Sequence, residues 1–216
     1  MFIRGSSISL NKIVIASNNP GKLRELAALL APLGIEALPQ SDFQVVEAEE
    51  PHETFLENAL AKARNASRAT GLPALADDSG LCVPSLGGAP GVHSAYYAGR
   101  AGSRAERDAR NNAKLVAALG AEADRRAFYY CVLVLLRSHE DPTPVVADGY
   151  WRGEIVLEPR GTGGFGYDPH FRTASGKTAG ELAAQEKNRT SHRAAALGAL
   201  AERLRALAPC DAPGGA

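Results

Sequence analysis

The chain has 216 residues and a mass of 22.7 kDa, enough to bury one real core and short of what usually divides into two domains. Its 24 basic residues balance 24 acidic ones, so no overall field recruits nucleic acid or an anionic membrane, and phosphate binding must be local. Cys82, Cys131 and Cys210 are too scattered for a zinc site or a disulfide framework, and no apolar run reaches membrane-span length, so a soluble cytoplasmic protein is expected.

The first periodic element, Lys12 to Ala16, is a β-branched apolar run that stops at Ser17-Asn18-Asn19-Pro20-Gly21-Lys22 and reads as a buried strand entering a turn. Leu23, Leu26, Ala27 and Leu30 then recur at helical spacing. Pro20 suits the first helical position, where its missing N–H costs nothing, and Asn19 is the expected N-cap.

Thr54 and Glu57 have capping-box spacing and introduce a second helix that should run towards Gly71, with Ala59 and Ala63 inward and Asn58 and Lys62 on its polar side. Leu72 to Ala76 reads as a short strand closed by an Asp77-Asp78-Ser79-Gly80 turn, followed by a Gly- and Pro-rich loop. If the strand instead persists through both aspartates, only one of them faces the cleft, and Asp78 is taken as that one.

Ser103 and Glu106 cap a third helix that should end at Gly120. Ala127 to Leu136 and Val145 to Val156 are rich in aromatic and β-branched residues and should pair antiparallel. A glycine loop from Gly161 to Gly166, a short helix after Thr178 and a last helix carrying Leu197, Leu200, Leu204 and Leu207 complete the order. Strands alternate with helices and then follow one another, so the expected fold is α/β with a mixed sheet.

Several clusters could carry chemistry. The Ser17 to Lys22 turn puts backbone N–H groups and a lysine at a positive helix end, a phosphate-site candidate that does not match the GxxxxGK[ST] loop. Glu47, Glu49 and Glu50, with Asp77 and Asp78, offer hard oxygen ligands that suit Mg²⁺ bound together with phosphate. Phe165 to Asp168 supplies aromatic faces and a carboxylate for a flat heterocycle, and Lys187, Ser191, His192 and Arg193 supply donors at the start of the last helix. The five histidines form no zinc pattern, and no GxSxG elbow occurs. Each cluster also has an ordinary structural reading, and the same glycine turns would serve a nucleotide sensor.

Taken in order, Ser17-Asn18-x-x-x-Lys22, Glu50, Thr54-Phe55-x-Glu57-Asn58-Ala59-x-x-Lys62-Ala63, Asp77-Asp78-Ser79-Gly80-Leu81, Gly87-Gly88-Ala89-Pro90-Gly91, Gly161 to Pro169 and Ser191-His192-Arg193 resemble the bacterial inosine/xanthosine triphosphate pyrophosphatase family. The resemblance runs from about Lys12 to Leu207. It implies an elongated two-lobed homodimer with a mixed central sheet that uses Mg²⁺ to hydrolyse deaminated purine nucleoside triphosphates. By it, Ser17, Asn18, Asn19, Pro20, Gly21 and Lys22 hold the triphosphate and Lys62 neutralises phosphate charge. Glu50 and Asp78 bind Mg²⁺ or activate water, and Ser79 contacts the nucleotide. Phe165, Gly166, Tyr167, Asp168, Lys187, His192 and Arg193 surround the base. Tyr96 stands where many relatives carry an arginine. One two-lobed domain is expected over 12–208, with a disordered extension before it (1–11) and a disordered tail after it (209–216).

Overall fold

The structure, a computed structural model, describes residues 10–207. The expected disorder of the extension and tail lies outside the described residues except at Leu10 and Asn11. Leu10 packs on the core, and the Asn11 carbonyl accepts the Glu36 N–H at 2.8 Å.

In chain order the elements are β1 (Lys12–Ile15), α1 (Pro20–Leu30), β2 (Glu36–Pro39), α2 (Phe55–Thr70), β3 (Ala74–Cys82), α3 (Arg104–Leu119), β4 (Arg126–Leu136), β5 (Val145–Ile155), β6 (Phe171–Thr173), α4 (Ala184–Thr190) and α5 (His192–Leu207). The strands form one six-stranded sheet in the order β2-β1-β3-β4-β5-β6. The pairs involving β1 are parallel and the rest antiparallel, so the sheet is mixed, as expected.

Local chemistry explains the helix ends. Asn19 caps α1 with Pro20 at its first position, Thr54 caps α2, and Ser103 and Glu106 form a complete capping box on α3. On α2 the box is half made: Thr54 accepts the Glu57 N–H, while the Glu57 carboxylate takes the Thr54 hydroxyl at 2.7 Å.

Alternation along the strands sends side chains into separate cores. Ile13, Ile15, Leu75, Cys131, Leu133 and Leu135 pack under α1 and α5, and Val14, Ala74, Ala76, Val132 and Val134 pack under α2. Beyond them, the far halves of β3, β4 and β5 meet α3 and β6 in a third cluster around Tyr129, Trp151 and Phe171. The sheet therefore carries two lobes.

Two expectations need correction. Asp77 to Gly80 is not a turn: β3 continues through it to Cys82, paired with β4 from Leu133 to Tyr130. Turn-type composition is overridden here because each polar side chain finds a buried charged or hydrogen-bonding partner. Asn58 and Lys62 do not form a solvated helix side either; both are buried.

Candidate active site

Where the first strand ends and the lobes meet, a cavity of about 390 Å³ opens. The β1–α1 turn supplies Ser17, Asn18, Asn19, Pro20 and Lys22 to its wall, while Gly21 sits behind, packed under the Phe165 ring. A Cβ on Gly21 would lie 2.7 Å from that ring, so this position needs a glycine for close approach. The turn is less open than the sequence suggests. Asn19 Oδ1 accepts both the Gly21 and Lys22 N–H groups, and Ser17 Oγ accepts that of Asn19. An anion binding here meets side-chain groups first.

Strand alternation sends the two aspartates of β3 to opposite faces, and each enters a different charge cluster. Asp78 points to the α2 face, where its Oδ1 accepts from Lys62 Nζ at 2.9 Å, and Lys62 also donates to Glu50 at 3.2 Å. One ammonium thus serves two carboxylates. Asp78 Oδ2 is buried without a hydrogen-bond partner. Burial raises the Asp78 carboxyl above its ordinary range despite Lys62 and Lys22, and Glu50 adds to the rise. Burial alone would lower the Lys62 ammonium, but Asp78 and Glu50 outweigh it and hold Lys62 above its usual value.

Asp77 points to the α1 and α5 face and starts a chain of alternating charge. Lys22 Nζ lies 3.0 Å from Asp77 Oδ1, a charge contact without aligned hydrogen-bond geometry, and Arg193 Nε donates to Oδ2 at 3.0 Å. Arg193 also reaches Glu25 at 2.5 Å and Ser79 Oγ at 2.9 Å. Lys187 then joins Glu25 at 3.0 Å to Asp168 at 2.7 Å. Three cations and three carboxylates alternate along this path, so it is neutral as a whole. Burial would raise Asp77, yet Lys22, Arg193 and Lys62 hold it well below the carboxylate range.

At the far wall, Asp168 organises the glycine loop: Oδ2 accepts the Phe165 N–H at 2.8 Å, and Oδ1 accepts the Tyr129 hydroxyl at 3.2 Å. Asp108 and Asn112 of α3 hold the N–H and carbonyl of Gly166 at 3.0 and 2.9 Å. Tyr167 lines the cavity but commits its hydroxyl to the Ser94 carbonyl at 2.8 Å. His192 stacks on Tyr129 with centroids 4.8 Å apart, and its Nδ1 is buried without a partner. Burial, followed by the Arg193 and Lys187 charges, drives His192 far below its usual value, so its imidazole is neutral.

Most residues singled out from the sequence line one cavity; Gly21 lies just beneath its surface, Asp77 faces the charge path behind it, and Glu49 and Ser191 are not in its wall. Glu25, Tyr129, Arg104 and Arg107 were not foreseen. Glu25 had one weak signal, its place on the same α1 face as Lys22. The others are brought in by tertiary packing alone.

Among the described residues, no three His, Cys, Asp or Glu side chains converge on a metal position. Mg²⁺ does not need such a cage, since one or two carboxylates with water and substrate phosphate suffice. The Lys62 cluster fits that pattern, with two carboxylates, a single cation and an orphaned oxygen.

A model of the Ham1 family matches residues 13–203. The chain belongs to the Ham1 family. It is 62% identical over 206 residues to a dITP/XTP pyrophosphatase of Bordetella pertussis, covering 95% of this chain and 96% of that one. It is 65% identical over 195 residues to the protein of that name from Burkholderia pseudomallei, covering 90% and 93%. The structure of a HAM1 protein from Coxiella burnetii superposes with a TM-score of 0.81 at 48% identity, covering 90% of this chain and 98% of that one. The mixed sheet and its flanking helices are thus those of a Ham1 protein.

Proposed function

We propose that the chain hydrolyses deaminated purine nucleoside triphosphates (ITP, dITP and XTP) to the monophosphate and pyrophosphate, clearing them from the nucleotide pool. One observation carries this most directly: Asp78 keeps a buried, unpartnered oxygen and a raised pKa on the wall of a cavity whose other end is lined with hydrogen-bond donors. The names of close relatives support the same substrates.

In this mechanism Asp78 Oδ2 takes a proton from the water that attacks the α-phosphorus, a task suited by its raised basicity. Lys62 fixes the Asp78 carboxylate through Oδ1 and meets phosphate charge with Lys22. Ser17, Asn18 and Asn19 orient the phosphates from the β1–α1 turn. Glu50 and Asp78 would hold Mg²⁺, whose charge when bound stabilises the departing pyrophosphate. Lys187, neutral His192 and Arg193 offer donors to the 6-keto edge of the base, with Phe165 against its face. A 6-amino group leaves such a donor unpaired, at about 1 to 3 kcal/mol per lost partner, so ATP should be poor. A homodimer without nucleic-acid or membrane partners, acting in the cytoplasm, accords with the resemblance and the balanced charge. No helix of the described residues is long and apolar enough to cross a membrane.

The test is incubation with Mg²⁺ and inosine, xanthosine, guanosine or adenosine triphosphate, resolving nucleotide products and assaying pyrophosphate apart from orthophosphate. Monophosphate with pyrophosphate, mainly from the first two, is expected. Diphosphate with orthophosphate would overturn the mechanism, and no turnover of any nucleotide would favour a sensor. Asp78→Asn should abolish turnover; near wild-type rates would mean that Asp78 is neither the base nor an essential ligand.

A further inference from the structure

We propose that Arg104 and Arg107, at the start of α3, are ligands for the substrate's phosphate chain. This rests on the nucleotide reading above. Both side chains line the cavity, and both are half-buried while Ala105, Glu106, Ala109 and Arg110 around them are exposed.

Charge accounting inside the cavity motivates the assignment. Lys22, Lys187 and Arg193 are each neutralised within the alternating path, and Lys62 is outnumbered by Asp78 and Glu50. Together these groups are one negative charge past neutral, a poor reception for a polyanion. Among the described residues, the remaining charged groups of the wall are Arg104 and Arg107 with Glu47 and Asp108, so these two arginines are its only cations not already matched or outnumbered within a buried cluster. Among the described residues Arg107 makes no ion pair, and the one pairing of Arg104, to Asp108, is 3.7 Å long.

The placement of these arginines also runs against helix stability. They occupy the first turns of α3, where the helix dipole favours acidic side chains. Arg193 violates the same rule on α5, but Asp77 and Glu25 compensate it. On α3 Glu106 answers the dipole through the capping box, but among the described residues neither arginine has an ion-pair partner as close as those of Arg193, as expected where a ligand is to supply the negative charge.

Neighbouring aromatic rings hold both groups in the wall. The Arg104 guanidinium lies 4.8 Å from the centroid of the Phe165 ring, and that of Arg107 lies 5.8 Å from Tyr96, whose ring also carries Arg100 at 4.1 Å. Arg107 donates from Nη1 to the Gly102 carbonyl at 2.8 Å, which fixes its guanidinium and leaves Nε and Nη2 to donate to phosphate oxygens.

Calorimetric titration of the full chain with inorganic tripolyphosphate tests the assignment without any turnover. The R104A/R107A protein should bind it at least about tenfold more weakly than wild type, as loss of charge-assisted contacts predicts. R104K/R107K should recover part of that loss, because lysine keeps the charge and not the fork. Binding of inosine, which has no phosphate, should fall much less than that of tripolyphosphate, a result that a merely collapsed wall would not give. If the double alanine protein melts early, the single variants R104Q and R107Q replace it. Tripolyphosphate affinity within about twofold of wild type, or no binding by wild type itself, would overturn the proposal. If the arginine effect holds while wild type hydrolyses no nucleotide, the substrate reading fails and the arginine assignment stands.

Discussion

At the scale of single residues the site is a set of buried charges, each meaningful only with its partners. Lys62 is the clearest case, since among the described residues its ammonium is the one cation bonded to Asp78 and Glu50. Lys62→Met would leave Asp78 uncompensated in a buried position. A loss of about 3 to 5 kcal/mol is expected for breaking such a pair, less whatever is relieved by protonating Asp78. Glu50 adds little, because its side chain is 31% exposed. Urea unfolding measures this loss, and added Mg²⁺ should restore part of it; a variant as stable as wild type would show that the cluster is hydrated. His192 makes a prediction in pH. Its folded pKa is depressed below the usual 6.5. Below that pH the unfolded chain therefore takes up a proton that the folded chain refuses. The stabilising contribution is full above 6.5 and falls with pH by up to about 1.4 kcal/mol per unit. His192→Phe, which keeps a ring on Tyr129, should flatten stability between about pH 6.5 and 5.5, a window above the carboxylate range. An unchanged slope would assign the proton uptake to another group.

At the scale of elements, function depends on where helix ends are set down on the sheet. The first turn of α5 carries His192 and Arg193, and it lies directly on Gly149 of β5. A Cβ there would sit 2.3 Å from the His192 carbonyl and 2.4 Å from the Ala196 nitrogen. Both are backbone atoms, so Gly149→Ala must lift the helix. The expected cost is about 1 to 3 kcal/mol, together with misplacement of Arg193 from Asp77 and Glu25. Thermal unfolding and the KM for inosine triphosphate should both worsen; a change in stability with KM untouched would mean that the helix shifts as a rigid piece without moving its site residues. The same contrast explains what the sequence made legible. Asn19, Thr54 and Ser103 were readable as caps because a cap is a matter of a few adjacent residues. β2 is not legible because four residues ending in Pro39 at a sheet edge leave no periodic signal. The stretch of β3 from Asp77 to Gly80 has the composition of a turn, and its partners, Lys22, Lys62 and Arg193, come from three other elements that the local sequence does not show. Gly149 gave no hint at all, since only the packed helix shows why a side chain is excluded.

At the scale of the whole molecule, the cavity is a junction. One wall comes from the β1–α1 turn and β3 beside the cores under α1, α2 and α5, and the opposite wall comes from α3 and the glycine loop beside the Tyr129 and Phe171 core. Phe165 reaches Gly21, and the path from Lys22 through Arg193 and Lys187 ends on Asp168. A nucleotide held at both walls should therefore stiffen them together rather than one at a time. Ligand that binds only the folded state stabilises by about 2.7 kcal/mol at one hundred times its Kd. With Asp78→Asn protein, Mg²⁺ and inosine triphosphate at that excess, the melting temperature should rise. Amide exchange should slow concurrently in three separated segments: 17–22, 104–108 and 165–168. Those segments share no secondary structure, so joint protection requires a ligand that spans the opening. Protection of 17–22 alone would mean that the ligand docks at the turn without engaging the opposite wall, and the Phe165 contact to the base and the Arg104 and Arg107 contacts to phosphate would then have to be abandoned.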